Sequence, residues 1–437
     1  MTPDFPPPLW DTESLTERDH HHLWHPFTQQ QSWCAEEPLI IVSGSGALLT
    51  DSRGRDYLDG NSSIWTNIHG HCHPKIIEAV SQQIATLDHT SFLGTTHPKA
   101  IELADRLVHL LPDNPLPRVF FSDNGSTAIE SALKMSLQYW QLRGQPERRR
   151  FASFSGAYHG DTAGAASLGG ISSFFERFSG MHFSSERFAT LDELEAFPHC
   201  KTLAAVVIEP LIQGSAGMRL WPEGMLRDLR HFCNRNGILL ILDEVMTGFG
   251  RTGTMFACQR EQIIPDILCL AKGLTGGVLP LAATLVTEEI YTAFLGTPKE
   301  QKTFYYGHSY TANPPACAAS LASLEIFEEE KTLERLQPKI DFLTESLESL
   351  RTLPGIAEIR QCGFIAGIEI HDPKTRTPLP WHELTGAKIC KAARSHGLLT
   401  RPILDTIVLM PPLCVTTDQI RLMVQALRLA IEEVCGA

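Results

Sequence analysis

The stretch Ile238-Leu239-Leu240-Ile241-Leu242-Asp243-Glu244 is an unbroken apolar run that ends abruptly in two carboxylates, and Gly248-Phe249-Gly250-Arg251-Thr252-Gly253 follows closely. An apolar run without polar alternation suits a strand covered on both faces, the kind that parallel sheets contain. Ligands of open parallel sheets bind just beyond the carboxyl ends of the strands, so one carboxylate here, Asp243, is expected to face a ligand. The glycines also match G-x-G-x-x-G, but the dinucleotide fingerprint joins a first strand directly to a helix. Here acidic residues intervene and no clear amphipathic helix opens at Thr252. A nicotinamide dehydrogenase would rest on those glycines alone, and a tight loop explains them better.

Outward from this stretch, Asp266-Ile267-Leu268-Cys269-Leu270-Ala271 forms another strand and ends at Lys272, before Gly273-Leu274-Thr275-Gly276-Gly277. Burial strips an ammonium of its hydration and lowers its pKa, which makes an amine at a strand end a candidate nucleophile. Taken alone, a lysine snorkelling to the surface would explain it as well. In the other direction, Ser122-Asp123-Asn124-Gly125-Ser126-Thr127-Ala128 links the strand 118–121 to a helix over 129–139. Small residues at such a junction offer free backbone N–H groups to a phosphate, with a hydroxyl from Ser126 and a second candidate in Thr127. An ordinary cap made by Ser126 and Glu130 is the plainer alternative. A phosphate cradle, a carboxylate and an amine together are the requirements of pyridoxal 5'-phosphate.

Around these pieces, short apolar runs at 118–122, 150–154, 203–209, 238–243, 267–271 and 282–286 alternate with amphipathic helices such as 75–87 and 98–111. The alternation predicts an α/β protein with a largely parallel central sheet covered by helices. Before it, 1–28 is read as an arm without regular structure, and 38–42 and 47–50 as a hairpin joined by Ser43-Gly44-Ser45-Gly46. After Asn313-Pro314-Pro315, a long helical stretch over 316–350 broken at Pro338, paired strands at 356–360 and 363–370, and a last helix over 418–434 form a smaller layer. The expected division is 1–72 (arm and hairpin, part of a small α+β domain), 73–315 (large cofactor-binding domain) and 316–437 (C-terminal small domain).

With the motifs in hand, Asp243-Glu244-Val245-Met246-Thr247-Gly248-Phe249-Gly250-Arg251-Thr252-Gly253 and Ala271-Lys272-Gly273 resemble the signature of the class III aminotransferases, pyridoxal-phosphate enzymes of fold type I. Further segments resemble the branch that converts 8-amino-7-oxononanoate to 7,8-diaminononanoate for biotin. These are Leu23-Trp24-His25-Pro26-Phe27-Thr28, Gly156-Ala157-Tyr158-His159-Gly160-Asp161-Thr162, Gly307-His308-Ser309-Tyr310-Thr311, and Arg401-Pro402 with Leu409-Met410-Pro411-Pro412. The resemblance implies that Lys272 carries the cofactor as a Schiff base, Asp243 pairs with the ring nitrogen and Tyr158 stacks on the ring. It also implies that Gly125 and Ser126 hold the phosphate, joined by Ser309 from the neighbouring subunit of a homodimer with shared active sites. Arg401 would meet the substrate carboxylate, and Phe27, Ile64, Trp65 and Gly307 would line the substrate pocket.

Members that take the amino group from S-adenosylmethionine commonly have tyrosine at the position of Phe27 and an aromatic residue at that of Ile64. The segment Gly307-His308-Ser309-Tyr310-Thr311 and the Phe27 variant also resemble members that use lysine, so both donors stay open. Another ω-aminotransferase, acting on ornithine or 4-aminobutyrate, is the alternative within the class. Roles for His159 and Asp161 are left open, since either would serve equally to brace the Tyr158 loop.

Composition narrows the remaining classes. The chain has 437 residues, a net charge of -13 and eleven cysteines without a C-x-x-C pair. An acidic chain with no basic stripe repels nucleic acid, and no apolar stretch approaches the roughly 20 residues of a membrane span. Asp4 and Pro6-Pro7-Pro8 do not form a signal peptide, so a cytoplasmic protein with reduced thiols is expected. His69-Gly70-His71-Cys72-His73 alternates too tightly for a zinc site and is read as a turn, and His20-His21-His22 as part of a solvated arm. No metal is expected.

Overall fold

Seven strands form the central sheet of the computed structural model, in the order Arg118–Ser122, Ala282–Val286, Ile267–Leu270, Leu239–Asp243, Leu203–Ile208, Arg150–Phe154, Glu186–Phe188. Ala282–Val286 is antiparallel to both its neighbours, and the other strands run in one direction. The structure describes residues 10–436; Asp4 and the Pro6-Pro7-Pro8 run, on which the signal-peptide expectation rests, lie outside the described residues.

Alternation along the central strands assigns each side chain to a face. Leu239 and Ile241 share a cluster with Ala128, Ala132 and Tyr139 of helix Gly125–Leu142. Leu240 and Leu242 join Leu226, Leu229 and Phe232 of helix Met225–Asn236 in a second cluster. Each fully buried leucine or isoleucine contributes about 1.5–3 kcal/mol, and strand Leu239–Asp243 has four of them in a row. By the same period of two, Asp243 emerges on the side of helix Gly125–Leu142. The sheet thus delivers the carboxylate to the same cavity as that helix's N-terminus. Every central strand was legible as an apolar run, whereas Glu186–Phe188 was missed because Phe188 is its only buried residue.

A four-stranded sheet joins both ends of the chain, since Ile41–Ser45, Leu48–Asp51 and Asp56–Asp59 are extended by Leu398–Leu399, which pairs parallel with Asp56–Asp59. The expected hairpin is present with a shifted first strand: Ser43, Gly44 and Ser45 pair with Thr50, Leu49 and Leu48 instead of forming the loop. Another four-stranded sheet, Ile356–Cys362, Ile365–Ile370, Thr406–Leu409 and Pro402–Ile403, sits with helices Thr332–Glu348, Thr385–Ser395 and Thr417–Cys435.

Two further expectations need correction. The N-terminal arm contains helix Thr12–His22, capped by Asp11 and tied down where Trp33 and His25 both bond to Asp19. A helix polar on nearly every side has no hydrophobic period to betray it. The long C-terminal helical stretch breaks at Lys331, which takes a left-handed φ of 51°, between Pro314–Glu329 and Thr332–Glu348. Pro338 lies inside the second helix, which tolerates the loss of one N–H donor.

Candidate active site

The carboxyl ends of the central strands open onto a cavity of about 700 Å³. Gly125, Ser126, Tyr158, Asp243, Lys272 and Trp65 all line it. They arrive from five separate segments, Gly125 and Ser126 together, so their convergence is a product of the strand order.

At one end lies the start of helix Gly125–Leu142. Asn124 caps it through a reciprocal pair with Thr127: Thr127 N–H donates to Asn124 Oδ1 at 3.1 Å, and Asn124 N–H donates to Thr127 Oγ1 at 3.0 Å. The cap therefore belongs to Asn124 and Thr127, not to Ser126 and Glu130. Glu130 instead accepts Gly164 N–H at 2.6 Å. Ser126 keeps its hydroxyl at the cavity, where Oγ accepts Asp161 N–H at 3.1 Å. The N–H groups of Gly125 and Ser126 precede the first intrahelical bond, made by Ala128, and so remain available to an anion. Gly160 lies so close that a side chain there would meet Ser126 Oγ at 2.0 Å.

At the other end, Asp243 and Glu244 separate into different environments. Glu244 turns away from the cavity and accepts N–H bonds from Ala257 at 2.7 Å and Cys258 at 2.8 Å and the Thr247 hydroxyl at 2.9 Å. Asp243 faces the cavity and accepts a bond from Val245 N–H, and its Oδ2 lies 2.8 Å from Nδ1 of the buried His159. Burial alone would lower the His159 pKa, but the hydrogen bond and charge of Asp243 carry it above the ordinary value. His159, left undecided by the sequence, is thus the partner of Asp243. Asp161 accepts the Tyr158 hydroxyl at 2.6 Å, so it fixes the outer end of that ring.

Lys272 holds a left-handed φ of 44°, and Ser62, Ser63 and Trp65 near it are also non-glycine residues at positive φ. Such conformations cost about 1–3 kcal/mol each and persist where packing over-determines them. The Lys272 amine lies 5.0 Å from the centre of the Trp65 ring and makes no ion pair among the described residues. Burial lowers its pKa, opposed by the charges of Asp243 and Glu209 and aided by that of Arg251. The donor set fits pyridoxal phosphate: an N-terminal cradle for the phosphate, an anion backed by His159 for the ring nitrogen, and an unpartnered amine for the aldehyde.

Other residues singled out from the sequence lie outside the cavity's lining. Phe27 is 65% exposed and meets Phe174 edge-on, which in turn meets Tyr158 edge-on. Ile64 is exposed beside Trp65. Arg401 is exposed in part and makes no ion pair among the described residues, and burial lowers its pKa. The segment with Gly307 and Ser309 runs between the exposed Tyr305 and Tyr310, and its His308 approaches Asp123 at 2.9 Å. The histidine cluster is divided among separate partners: His69 bonds to Ser323, His71 to Asp59 and His73 to Glu330.

Glu209 is the residue that sequence reasoning missed. It follows strand Leu203–Ile208, adjacent to Leu239–Asp243, and lines the cavity. The rule that drew attention to Asp243, a carboxylate closing an apolar strand, applies to it equally.

The family model described as class III aminotransferase matches residues 30–431. The chain is 45% identical to the adenosylmethionine-8-amino-7-oxononanoate aminotransferase of Geobacter sulfurreducens, covering 98% of this chain and 100% of that one. The crystal structure of the adenosylmethionine-8-amino-7-oxononanoate aminotransferase from Methanocaldococcus jannaschii superposes with a TM-score of 0.95 at 41% identity, covering 97% of this chain and 100% of the other. A PLP-bound amine transaminase from an uncultivated Pseudomonas species superposes with a TM-score of 0.89 at 34% identity, covering 94% and 99%.

Proposed function

This chain belongs to the class III aminotransferases, and from that membership we propose that it transfers an amino group to 8-amino-7-oxononanoate, giving the 7,8-diaminononanoate of biotin synthesis. It is an aminotransferase of fold type I, and its cofactor is pyridoxal 5'-phosphate. One observation carries the reading of the site: Lys272, Asp243 and the N-terminus of helix Gly125–Leu142 share a single cavity. When bound, the cofactor supplies an aldehyde to carry the amino group and a ring that withdraws the electron pair released at the substrate's Cα.

Each residue then has a task. Gly125 and Ser126 bind the phosphate through backbone N–H groups and one hydroxyl. Asp243, held by His159, keeps a proton on the ring nitrogen. Tyr158 confines the ring from one side. Lys272 Nζ holds the aldehyde end and, when free, takes and returns a proton, a task suited to an amine whose pKa is lowered by burial. Arg401 receives the carboxylate of 8-amino-7-oxononanoate, which a guanidinium pairs with through parallel hydrogen bonds.

The donor follows the relatives' name, S-adenosylmethionine. Lysine is a second reading, favoured by Phe27, which lacks the hydroxyl of a tyrosine, and by Ile64, which lacks an aromatic face. ω-Transaminases on this fold at lower identity keep ornithine or 4-aminobutyrate as the alternative in-class substrates. The expected homodimer also belongs to the proposal, with Ser309 reaching the neighbouring subunit's phosphate site. It is supported by the exposure of Tyr305 at 88% and Tyr310 at 62% beside Ser309. Among the described residues, no helix is long and apolar enough to cross a membrane.

Purified protein with 8-amino-7-oxononanoate and each donor in turn should yield the diamine with S-adenosylmethionine. Borohydride treatment should fix the cofactor on Lys272, and Lys272→Ala should retain some cofactor while losing turnover. Normal turnover in that variant, or label on another lysine, defeats the site; diamine formed only with lysine reassigns the donor.

A further inference from the structure

The buried carboxyl of Glu209 is bonded to two cavity walls at once. Its Oε2 accepts Tyr158 N–H at 3.2 Å, and its Oε1 accepts Gly214 N–H at 3.0 Å. Tyr158 carries the ring-confining side chain on the first segment. The turn at Gly214 packs against another part of the wall: a side chain there would meet Met246 Sδ at 2.4 Å and the Trp65 ring at 3.1 Å, and both residues line the cavity. The segment that carries Tyr158 and the turn that packs on Trp65 are therefore tied through one side chain that makes no bond to the Lys272 amine.

We propose that Glu209 is a positioning residue: its carboxylate, by holding the Tyr158 segment and the Gly214 turn together, fixes the spacing between the Tyr158 and Trp65 walls within which the cofactor ring and the substrate are aligned. This rests on the assignment of that cavity to pyridoxal phosphate. An alignment role is worth having because small displacements of reacting groups lower rates steeply. Only a carboxyl long enough to reach both N–H groups does this. Glutamine offers one carbonyl oxygen and sets its NH₂ against the other donor, whereas aspartate keeps the charge and loses the reach.

The surroundings add a consequence in pH. Glu209 is faced by Asp243 and Lys272 from the neighbouring strand ends and by His159 and Tyr158 from the loop after Arg150–Phe154. Burial raises its pKa to about 7, with the Asp243 charge acting in the same sense and His159 and the two N–H bonds opposing. The folded-state value exceeds the ordinary 4.5, so the stability contributed by the proton on Glu209 is full below about pH 4.5 and is lost as pH rises through about 7. Above that range the ionised group favours the protonated form of the Lys272 nitrogen.

Hydrogen exchange at the Tyr158 and Gly214 amides, measured on cofactor-free protein, tests the clamp without reference to the cofactor. Glu209→Asp should accelerate both amides about tenfold, and Glu209→Gln should do so for the amide set against its NH₂, the effect of one lost hydrogen bond to a charged group. On loaded enzyme, kcat per cofactor-containing site should fall about tenfold in both variants. The pH midpoint of the cofactor's visible absorption should move lower in Glu209→Gln, which removes the anion, and stay in place in Glu209→Asp. Wild-type exchange or wild-type kcat in Glu209→Asp overturns the proposal, and that variant decides the matter if Glu209→Gln does not fold. Accelerated exchange with unchanged kcat also overturns it, leaving a brace without a role in alignment. A wild-type protein whose visible band does not depend on Lys272 would instead defeat the assignment of the site.

Discussion

The cavity rim and the loop from Gly248 to Gly253 both hold buried charge, and they treat it in opposite ways. In the loop region, Glu244 accepts three donors, and Arg251 donates to the carbonyl oxygens of Pro411 at 2.7 Å and Asn67 at 2.7 Å. Burial lowers the Arg251 pKa to about 9, still high enough to stay charged at neutral pH. Its bonds join the loop to segments far away in sequence. At the rim, the Lys272 amine faces only the Trp65 ring, and the buried Nε2 of His159 and Oδ1 of Asp123 have no partner in the protein. Arg251 Nε and Thr252 Oγ1 in the loop also lack a partner, but only the unpartnered groups at the rim belong to residues that line the cavity, where a bound ligand supplies what the protein does not. Polar residues with nearly complete partner sets are scaffold, even one peptide unit away from the chemistry.

The strongest way to break this contrast is to neutralise the two adjacent carboxylates separately. Asp243→Asn should reduce turnover by about 10²–10⁴-fold, the usual scale for a group that governs proton transfer. An unaltered rate would move Asp243 from site to scaffold. Arg251→Met should act on the other axis, lowering stability by about 2–5 kcal/mol because two buried carbonyl groups lose their donor. Glu244→Gln should cost about 1–3 kcal/mol of stability and leave kcat per folded site close to normal. If Glu244→Gln instead slowed turnover as much as Asp243→Asn, the division between the two regions would be wrong.

How much of this was legible beforehand follows the same division. Residues with an apolar period or a strand-end position were visible: the central strands, Asp243, Lys272 and the junction at Gly125 each had a local signal. Features defined by long-range partners were not. Nothing near Glu209 announces that Tyr158 and Gly214 converge on it, and the pairing of His159 with Asp243 joins positions far apart in sequence. Helix Thr12–His22 escaped because its polar surface has no period, and the break at Lys331 escaped because Pro338 is the more conspicuous residue. Strand Leu398–Leu399 is too short to have a pattern of its own and exists because Asp56–Asp59 offers an edge.

The smallest expected effects sharpen the contrast furthest, because they set consecutive residues against each other. Thr127 closes the helix cap with Asn124, whereas Ser126 turns its hydroxyl to the cavity and the Asp161 N–H. Thr127→Ala should lower stability by about 1 kcal/mol, the usual value of a cap bond, and reach cofactor binding only through that loss. Ser126→Ala removes a hydroxyl from the proposed phosphate site, so cofactor affinity should weaken about fivefold, equivalent to about 1 kcal/mol, with little change in unfolding. Equilibrium binding and urea titration on both variants separate the two outcomes. If Ser126→Ala unfolds earlier while its affinity holds, that hydroxyl serves the Asp161 loop and the phosphate is held by backbone N–H groups alone.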